Sequence, residues 1–379
     1  MIVCTRDRLS LLSGCLDSLV CQTTAGSNGS ADRFDVLVVD NGSTDGTAAW
    51  LVDWAQADPE RRRVVTEPVA GLSRARNRGV AEATGDVVLF IDDDALAPRG
   101  WVAAHLAAHR RDAATTAVGG PVVLTWPEGR PRWLTPGLEH WYSALDHGDH
   151  GDHAGPFPRP DGPYGANMSV RRTALTEAGG FAERLGRRGR SLLSGEEAEL
   201  WQRLWGSGGT IVYDPATLVL HRVAATRSTR RWVIRRGWGQ GRSNARLGAM
   251  TAAGPTAWTD VRGLVWCDAR FARRFVGEAV RALRAFDQAE AIEALARATG
   301  HAAAALGHIT ARARRPDDGP ATGRATTPVP ATAPVPVTVG AATTKPPATK
   351  ATTTKATTTK ATTTKAAATT AATRSTGSD

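Results

Sequence analysis

Residues 85–95 read Gly-Asp-Val-Val-Leu-Phe-Ile-Asp-Asp-Asp-Ala, so that five consecutive apolar residues lead directly into three aspartates. An apolar run without polar alternation is typical of a strand covered on both faces, as in a parallel sheet between two layers of helices. Ligands of such sheets bind beyond the carboxyl ends of the strands. We therefore predict a buried strand that carries Asp92, Asp93 and Asp94 to a ligand-binding edge of an α/β sheet.

The three adjacent carboxylates repel one another at neutral pH unless a cation compensates them. A divalent metal ion is the simplest candidate, because it takes hard oxygen ligands and leaves positions for water and phosphate oxygens. A solvated acidic turn is the alternative for a bare aspartate triplet. The motifs around the triplet favour the metal ion.

Two further segments combine a short strand, a polar turn and a helix. Residues 2–5 run into Thr-Arg-Asp-Arg (5–8) and then into leucines at helical spacing. Residues 34–40 run into Asn-Gly-Ser-Thr-Asp-Gly-Thr and a helix that starts near Ala48. Asp40, at a strand tip, can accept hydrogen bonds from a ribose or a base, although aspartate and glycine also suit any tight turn. The first strand begins just after Met1, which leaves room for a natural start upstream.

Two charged helix starts invite a functional and a structural interpretation. Arg74 and Arg78 stand four apart where the helix dipole disfavours cations, so they either bind a diphosphate or form a solvated basic face. Glu196 and Glu197 open an amphipathic helix behind Ser194 or Gly195, which suits a helix cap but also suits a carboxylate facing a cleft. His221 ends a short strand, where histidine is more often structural than a ligand.

The long segment 126–163 is rich in Pro, Gly, Trp and His and is predicted to be a functional or disordered loop. Its run His147-Gly-Asp-His-Gly-Asp-His153 suits a flexible surface loop better than a metal site. Residues 117–124 are predicted to form one strand. The Arg-rich segment 232–247 is interrupted by glycines. Residues 268–308 are predicted to be helical. Their apolar stripe from Phe271 to Phe286 either packs in a core or lies on an anionic membrane.

Charge is distributed unevenly along the chain. Of the formal net charge of +10, residues 311–379 contribute ten basic and three acidic side chains, or +7. This Ala/Thr/Pro/Lys tail has too few apolar residues to fold and is predicted to be disordered. The body is therefore nearly neutral, which argues against a specific nucleic-acid partner.

Cysteine usage and hydropathy predict where the protein works. The four cysteines show neither metal-binding nor disulfide spacing, and no leader or long uncharged apolar run is present. We expect a cytoplasmic protein, with peripheral contact at the inner face of an anionic cell membrane as a further option.

Together these motifs resemble family 2 glycosyltransferases of the GT-A type. The resemblance rests on Val-Cys-Thr-Arg-Asp-Arg (3–8), Val-Asp-Asn-Gly-Ser-Thr-Asp-Gly-Thr (39–47), Ala-Arg-Asn-Arg-Gly (75–79) and Phe-Ile-Asp-Asp-Asp (90–94). Gly-Ala-Asn-Met-Ser-Val-Arg (165–171), the box at Gly195–Leu200 and Val-Leu-His (219–221) also stand where that family has acceptor-side, catalytic and metal-side motifs. The expected fold is a GT-A, Rossmann-like, mostly parallel sheet flanked by helices, with a helical extension over 251–312 and the tail from 313. Within the GT-A domain, 1–250, residues 1–120 are expected to bind the nucleotide sugar and 121–250 to carry the acceptor and catalytic half.

The resemblance also implies an activity and residue roles. It implies an inverting transfer from a nucleotide-diphosphate sugar, with Mn²⁺ or Mg²⁺, to a glycan or lipid-linked acceptor in cell-surface polysaccharide, glycolipid or glycoconjugate synthesis. The implied catalytic base is Glu197, or else Glu196, because the family's Glu-Asp box reads Glu-Glu here. The implied metal ligands are Asp94, Asp92 and His221. The remaining matches are donor-side and acceptor-side positions: Thr5, Arg6, Asp40, Arg76, Asp92 and Asp93 for the donor, and Asn167 for the acceptor.

Two other protein classes would require different sequence features. A dinucleotide enzyme needs a G-x-G-x-x-G after the first strand, and residues 5–15 lack it. A polyanion- or nucleic-acid-binding protein would use the basic tail and the Arg-rich segment, and its binding would fall steeply with salt.

Overall fold

The computed structural model describes residues 1–24, 32–147, 154–189, 191–251, 258–285 and 287–313. These residues lie in one compact unit, Met1–Gly319. The part of the predicted disordered tail beyond residue 313 and most of the histidine-rich run, residues 148–153, lie outside the described residues. The predicted domain boundary near residue 250 remains a prediction.

The apolar run at residues 87–91 forms the fourth of the eleven strands found in the described residues. In chain order they are β1 (Ile2–Thr5), β2 (Val36–Asp40), β3 (Arg62–Thr66), β4 (Val87–Asp92), β5 (Ala95–Leu96), β6 (Thr115–Gly119), β7 (Val122–Thr125), β8 (Gly155–Pro156), β9 (Met168–Arg171), β10 (Thr210–Tyr213) and β11 (Val219–Arg222). Eight of them form one sheet in the order β3-β2-β1-β4-β9-β6-β10-β8.

The sheet is mostly parallel, as predicted. Strands β3, β2, β1 and β4 run parallel to one another, and β6 runs parallel to β10. Only β9 and the short β8 are antiparallel to their neighbours. In register, Thr5 pairs with Asp40 and Cys4 with Asp92, so the carboxyl ends of β1, β2 and β4 meet at one edge.

Nine helices accompany the strands in the described part of the chain. They are α1 (Leu9–Val20), α2 (Thr47–Gln56), α3 (Leu72–Glu82), α4 (Trp101–Arg111), α5 (Arg172–Glu177), α6 (Glu196–Gly206), α7 (Arg230–Thr251), α8 (Trp258–Arg284) and α9 (Gln288–Ala313). Helix α1 buries Leu12, Leu16 and Leu19 completely in the core that also contains β4, which explains why these leucines recur at helical spacing. No helix of the described residues is long and apolar enough to cross a bilayer.

The prediction of a single strand over residues 117–124 is wrong. The chain forms two strands there, β6 in the large sheet and β7 in a second sheet of order β5-β11-β7. The break falls at Gly120-Pro121, because proline has no N–H for a sheet hydrogen bond. Gly120 packs closely against Thr217 Oγ1 and the carbonyl oxygen of Asp214, where a side chain would overlap these atoms. The second sheet brings the end of β11 beside the residues that follow β4.

The predicted helical extension is present, with two differences in detail. Glycines 237, 239 and 241 do not interrupt α7, which is continuous from Arg230 to Thr251. Gly237 and Gly241 face α9, and a side chain at either position would overlap the carbonyl oxygen of Ala296 or Gly300. The single helical segment predicted over 268–308 consists of α8 and α9, separated near residues 285–287. Phe271 of the predicted stripe stacks on His301 but is 44% exposed, and Phe286 lies outside the described residues.

Candidate active site

The three aspartates at the end of β4 have different environments. Asp93 is buried, accepts a hydrogen bond from the Thr5 hydroxyl at 2.8 Å and pairs with Arg8 at 2.6 Å. Burial raises the pKa of Asp93 to about 6, although Arg8 opposes the rise. The Asp92 side chain is 34% exposed and faces the open edge. Asp93 therefore fastens the β4 end to β1, while Asp92 is accessible to a ligand.

Asp94 is the centre of a buried cluster of charges. Its carboxylate lies 3.1 Å from His221 Nε2, 2.5 Å from an Arg8 nitrogen and 3.1 Å from an Arg227 nitrogen. Burial alone would raise the pKa of Asp94, but His221, Arg8 and Arg227 together hold it well below its usual range. Asp94 is therefore ionised at neutral pH, compensated by the surrounding side chains.

The predicted metal ligands come together in space. One ligand atom each from Asp92, Asp94 and His221 lies within 4.8 Å of the other two. His221 Nδ1 is buried without a hydrogen-bond partner among the described residues. Two carboxylates and an imidazole form a donor set that fits a divalent transition metal such as Mn²⁺. The β5-β11 pairing of Ala95 with His221 explains how residues far apart in sequence converge here.

Arg76 connects the metal-side acids with the glutamate pair. Its buried guanidinium lies 3.5 Å from Asp92, 3.1 Å from Glu196 and 3.0 Å from Glu197. Asp92, Glu196 and Glu197 can carry more negative charge than Arg76 neutralises. In a buried network such excess charge is electrostatically costly. Arg76 thus positions both sides of the site in one ion network.

The two glutamates occupy distinct positions at the start of α6. Gly195 precedes them with φ +98°, a left-handed conformation that glycine adopts readily. The Glu197 side chain is 17% exposed and accepts a hydrogen bond from the Gly165 N–H at 3.2 Å. Glu196 is 3% exposed, its Oε2 atom has no hydrogen-bond partner among the described residues, and burial, followed by Glu197, raises its pKa to about 8. Glu197 is therefore the carboxylate better placed to take a proton from a bound molecule.

Two adjoining cavities meet at this network. Cavity I is lined by residues that include Thr5, Arg6, Asn41, Asp94 and His221. Cavity II is lined by residues that include Arg76, Tyr164, Glu197, Trp201 and Arg236. Both contain Leu72, Asp92, Ser143 and Arg187, so a molecule in cavity I can meet a molecule in cavity II beside Asp92.

Other predicted residues do not line either cavity as the described residues form it, and their site roles remain predictions. Asp40 is buried and accepts the Ser43 N–H at 3.1 Å, while its neighbour Asn41 lines cavity I. Arg74 and Arg78 form surface ion pairs with Glu183 and Glu82, which fits the solvated-face interpretation.

Asn167, predicted on the acceptor side, is fully buried. It accepts from Trp101 Nε1 at 2.9 Å and donates to the carbonyl oxygens of Pro121 at 3.0 Å and Thr217 at 2.6 Å. Gly165 and Ala166 of the same motif line cavity II. Asn167 therefore fixes the segments that enter β7 and β11, and the cleft is formed by its neighbours.

Four arginines line the cavities, although the sequence motifs assigned them no role: Arg8, Arg187, Arg227 and Arg236. Arg8 belongs to the Thr-Arg-Asp-Arg cluster, so its position after β1 was a usable signal. The other three lie on loops and on α7, where only the folded chain brings them to the cavities.

Comparison with known proteins identifies the family. Residues 1–173 match the model of glycosyl transferase family 2. The succinoglycan biosynthesis protein ExoM of Rhizobium meliloti is 30% identical over 224 residues, which cover 59% of this chain and 67% of that protein. The chain belongs to glycosyltransferase family 2.

A second relative and a solved structure extend the comparison of this family 2 enzyme. The glucosyl-dolichyl phosphate glucuronosyltransferase of Haloferax volcanii is 28% identical over 252 residues, covering 64% of this chain and 75% of that one. The mannosyltransferase PcManGT from Pyrobaculum calidifontis, solved with GDP-Man and Mn²⁺, superposes with a TM-score of 0.52 at 21% identity, covering 79% and 85% of the two chains. This likeness confirms the predicted GT-A fold, and the family shows that the protein is a glycosyltransferase.

Proposed function

We propose that this glycosyltransferase transfers a sugar from a nucleotide-diphosphate donor to an acceptor hydroxyl with inversion at the sugar carbon. The observation that carries the proposal is the meeting of the two cavities at Asp92. The Asp92–Asp94–His221 cluster lies in cavity I and Glu197 lies across the junction in cavity II. This arrangement suits a donor diphosphate on one side and an acceptor on the other.

Glu197 would act as the general base. Its carboxylate would accept the proton of the acceptor hydroxyl as that oxygen attacks the sugar carbon and the bond to the diphosphate breaks. Arg76 fixes the position of the Glu197 carboxylate through an ion pair at 3.0 Å. A single displacement of this kind inverts the sugar carbon and forms no covalent bond to the enzyme.

Asp92, Asp94 and His221 would hold a divalent cation. When bound, the ion would neutralise charge that develops on the leaving diphosphate. Thr5, Arg6 and Asn41 line the part of cavity I that the nucleotide would fill. The Mn²⁺ in the PcManGT structure supports this assignment, and the choice between Mn²⁺ and Mg²⁺ is left to experiment.

The acceptor would be a glycan or a lipid-linked glycan of a cell-surface polysaccharide, glycolipid or glycoconjugate. The names of two relatives support this proposal, because one refers to succinoglycan synthesis and the other to a glucosyl-dolichyl phosphate acceptor.

Peripheral contact with an anionic membrane would be made by α8. Val276, Val280 and Leu283 are 48%, 42% and 58% exposed and follow one another at helical spacing. Exposed arginines flank this strip: Arg270, Arg273, Arg274, Arg281 and Arg284. An apolar strip bordered by cations suits the surface of an anionic bilayer.

A panel of nucleotide sugars tests the proposed function. With Mn²⁺ or Mg²⁺, one nucleotide sugar should raise the melting temperature and undergo slow hydrolysis. Asp94→Asn should bind that donor at least roughly tenfold more weakly, because it loses one charged ligand. Asp53→Asn, at an exposed position on α2 outside both cavities, is the matched control. Equal donor affinity with EDTA and with Mn²⁺ would refute the metal assignment.

A further inference from the structure

Cavity II contains two guanidinium groups that lack a carboxylate partner. Arg187, in the loop before α6, and Arg236, on α7, both line this cavity. Among the described residues neither forms a salt bridge. Five acids line the cavity: Asp92, Glu196 and Glu197 pair with Arg76, and Asp146 and Asp161 pair with neither Arg187 nor Arg236. The proposed acceptor side thus has positive charge that the protein does not neutralise by direct contact.

Arg236 is the more constrained of the two. Its Nη1 and Nη2 atoms make only long hydrogen bonds, both 3.4 Å, to the Leu192 carbonyl oxygen and the Ser194 hydroxyl. Its Nε atom is buried and has no hydrogen-bond partner within the part of the chain that the structure describes. A buried donor without a partner is costly unless a ligand satisfies it.

The two arginines also influence each other. Burial, followed by the nearby charge of Arg187, lowers the pKa of Arg236 to about 10. Arg236 remains protonated at neutral pH, and an anion placed between the two guanidinium groups relieves their mutual repulsion. Guanidinium groups bind phosphate and carboxylate oxygens through paired N–H donors.

We propose that Arg187 and Arg236 form an oxyanion subsite in cavity II, so that the acceptor of this enzyme carries a phosphate or a carboxylate group. The proposal rests on the assignment of cavity II to the acceptor. Tyr164 and Trp201 line the same cavity and offer aromatic surface for the rest of the acceptor. Arg187 also borders cavity I, which places the subsite close to the transfer point.

Binding of three small probes tests the subsite. Phenyl phosphate, benzoate and benzyl alcohol share an aromatic ring and differ in charge, and their dissociation constants can be measured by ligand-observed NMR on the full chain with Mn²⁺. At least one anionic probe should bind roughly tenfold more tightly than benzyl alcohol. The preference between phosphate and carboxylate identifies which oxyanion the site takes.

Two variants and one control locate the effect. Arg236→Ala and Arg187→Ala should each reduce the advantage of the anionic probe to about twofold or less. Arg235→Ala removes the same charge at the adjacent, exposed position, which lines a different cavity, and should keep the advantage. Melting curves check that the variants fold, and Arg236→Gln replaces Arg236→Ala if the latter does not.

Two results would overturn the subsite. One is equal affinity of the wild-type protein for charged and neutral probes, and the other is an anion preference that survives in both Arg236→Ala and Arg187→Ala. Failure of the proposed function is a separate result, since it appears as the absence of any stabilising or hydrolysed nucleotide sugar in the donor panel.

Discussion

Glu196 and Glu197 are adjacent in sequence and both line cavity II, yet their side chains are 3% and 17% exposed. Glu197 reaches cavity II and is held by Gly165 and Arg76, whereas Glu196 is almost fully buried with a raised pKa. The difference arises because successive residues of a helix point about 100° apart.

We expect Glu197→Gln to lower the turnover number by roughly 10²-fold or more, with little change in donor affinity, because the variant cannot accept a proton. Glu196→Gln is the matched control and should retain most of the turnover. Steady-state transfer rates and donor titrations measure the two effects. A dead Glu196→Gln enzyme beside a nearly normal Glu197→Gln enzyme would exchange the two assignments.

At the residue scale, sequence motifs predicted the acidic residues of the site but not Arg8 and Arg227, which pair with Asp94. Asp92, Asp94, His221 and the glutamate pair were predicted from motifs, and the structure brings them to one network. Asn167 and Asp40 stand in equally good motifs and are buried as framework residues. A motif specifies the residue type and its place in the chain, whereas burial depends on packing partners from elsewhere.

Helix α7 packs on α9 through glycines that look like helix breakers. Alanine at Gly241 would gain about 1 kcal/mol of helix propensity. It would also overlap the Gly300 carbonyl oxygen and press on the Ala304 backbone nitrogen, and such overpacking costs about 1–3 kcal/mol.

We therefore expect Gly241→Ala to lower the melting temperature by several degrees. Gly248→Ala, on the same helix, should be neutral or stabilising, because the new methyl group meets only His308 Cε1 at 3.8 Å. Thermal unfolding of the two variants side by side measures the difference. A melting temperature for Gly241→Ala at or above the wild-type value would show that α9 can move away without cost.

Helix α4 carries two buried histidines that make the fold sensitive to acid. His105 Nδ1 lies 2.9 Å from the Ser169 hydroxyl, and His109 Nε2 lies 2.9 Å from the same oxygen. Burial lowers the pKa of His105 to about 3 and that of His109 to about 4. Unfolded histidine titrates near 6.5, so protons bind the unfolded chain first and stability falls as pH drops below about 6.5.

For His105 alone the loss at pH 5 is about 2 kcal/mol. His105→Gln should therefore show a shallower fall of melting temperature between pH 7.5 and pH 5 than the wild type, even if it is less stable at pH 7.5. The comparison of the two slopes is the measurement. Parallel curves would mean that other groups control the acid sensitivity.

At the element scale, periodicity predicted most strands and helices and missed where they break. The strands β1, β2 and β4 and the helix α1 follow directly from apolar runs and leucine spacing. The division at Gly120-Pro121 was missed because the apolar pattern continues across it, although the proline itself was a signal. The continuity of α7 was missed because its glycines are explained only by contact with α9, a segment about 60 residues later.

Considered as a whole molecule, the chain has two basic regions that could meet a membrane, α8 and the tail. Co-sedimentation with vesicles that contain anionic phosphatidylglycerol distinguishes the contribution of α8 from that of the tail. Val280→Asp/Leu283→Asp should reduce co-sedimentation at least roughly fivefold, because it removes apolar area and adds negative charge to the same strip. Val52→Asp, at an equally exposed valine on α2, should have no such effect.

A chain that ends at residue 315 completes the vesicle experiment. If α8 makes the contact, the shortened chain should keep most of its binding and its melting temperature. Binding that disappears with the tail and is unchanged in Val280→Asp/Leu283→Asp would assign the contact to the tail.

Arg8 and Arg227 both pair with Asp94, so a divalent ion that took this carboxylate as a ligand would compete with two guanidinium groups. The arginines released from Asp94 lie on the wall of cavity I, where diphosphate oxygens can accept their hydrogen bonds. Ion and nucleotide are then thermodynamically linked, and each should raise the affinity of the other by the same factor.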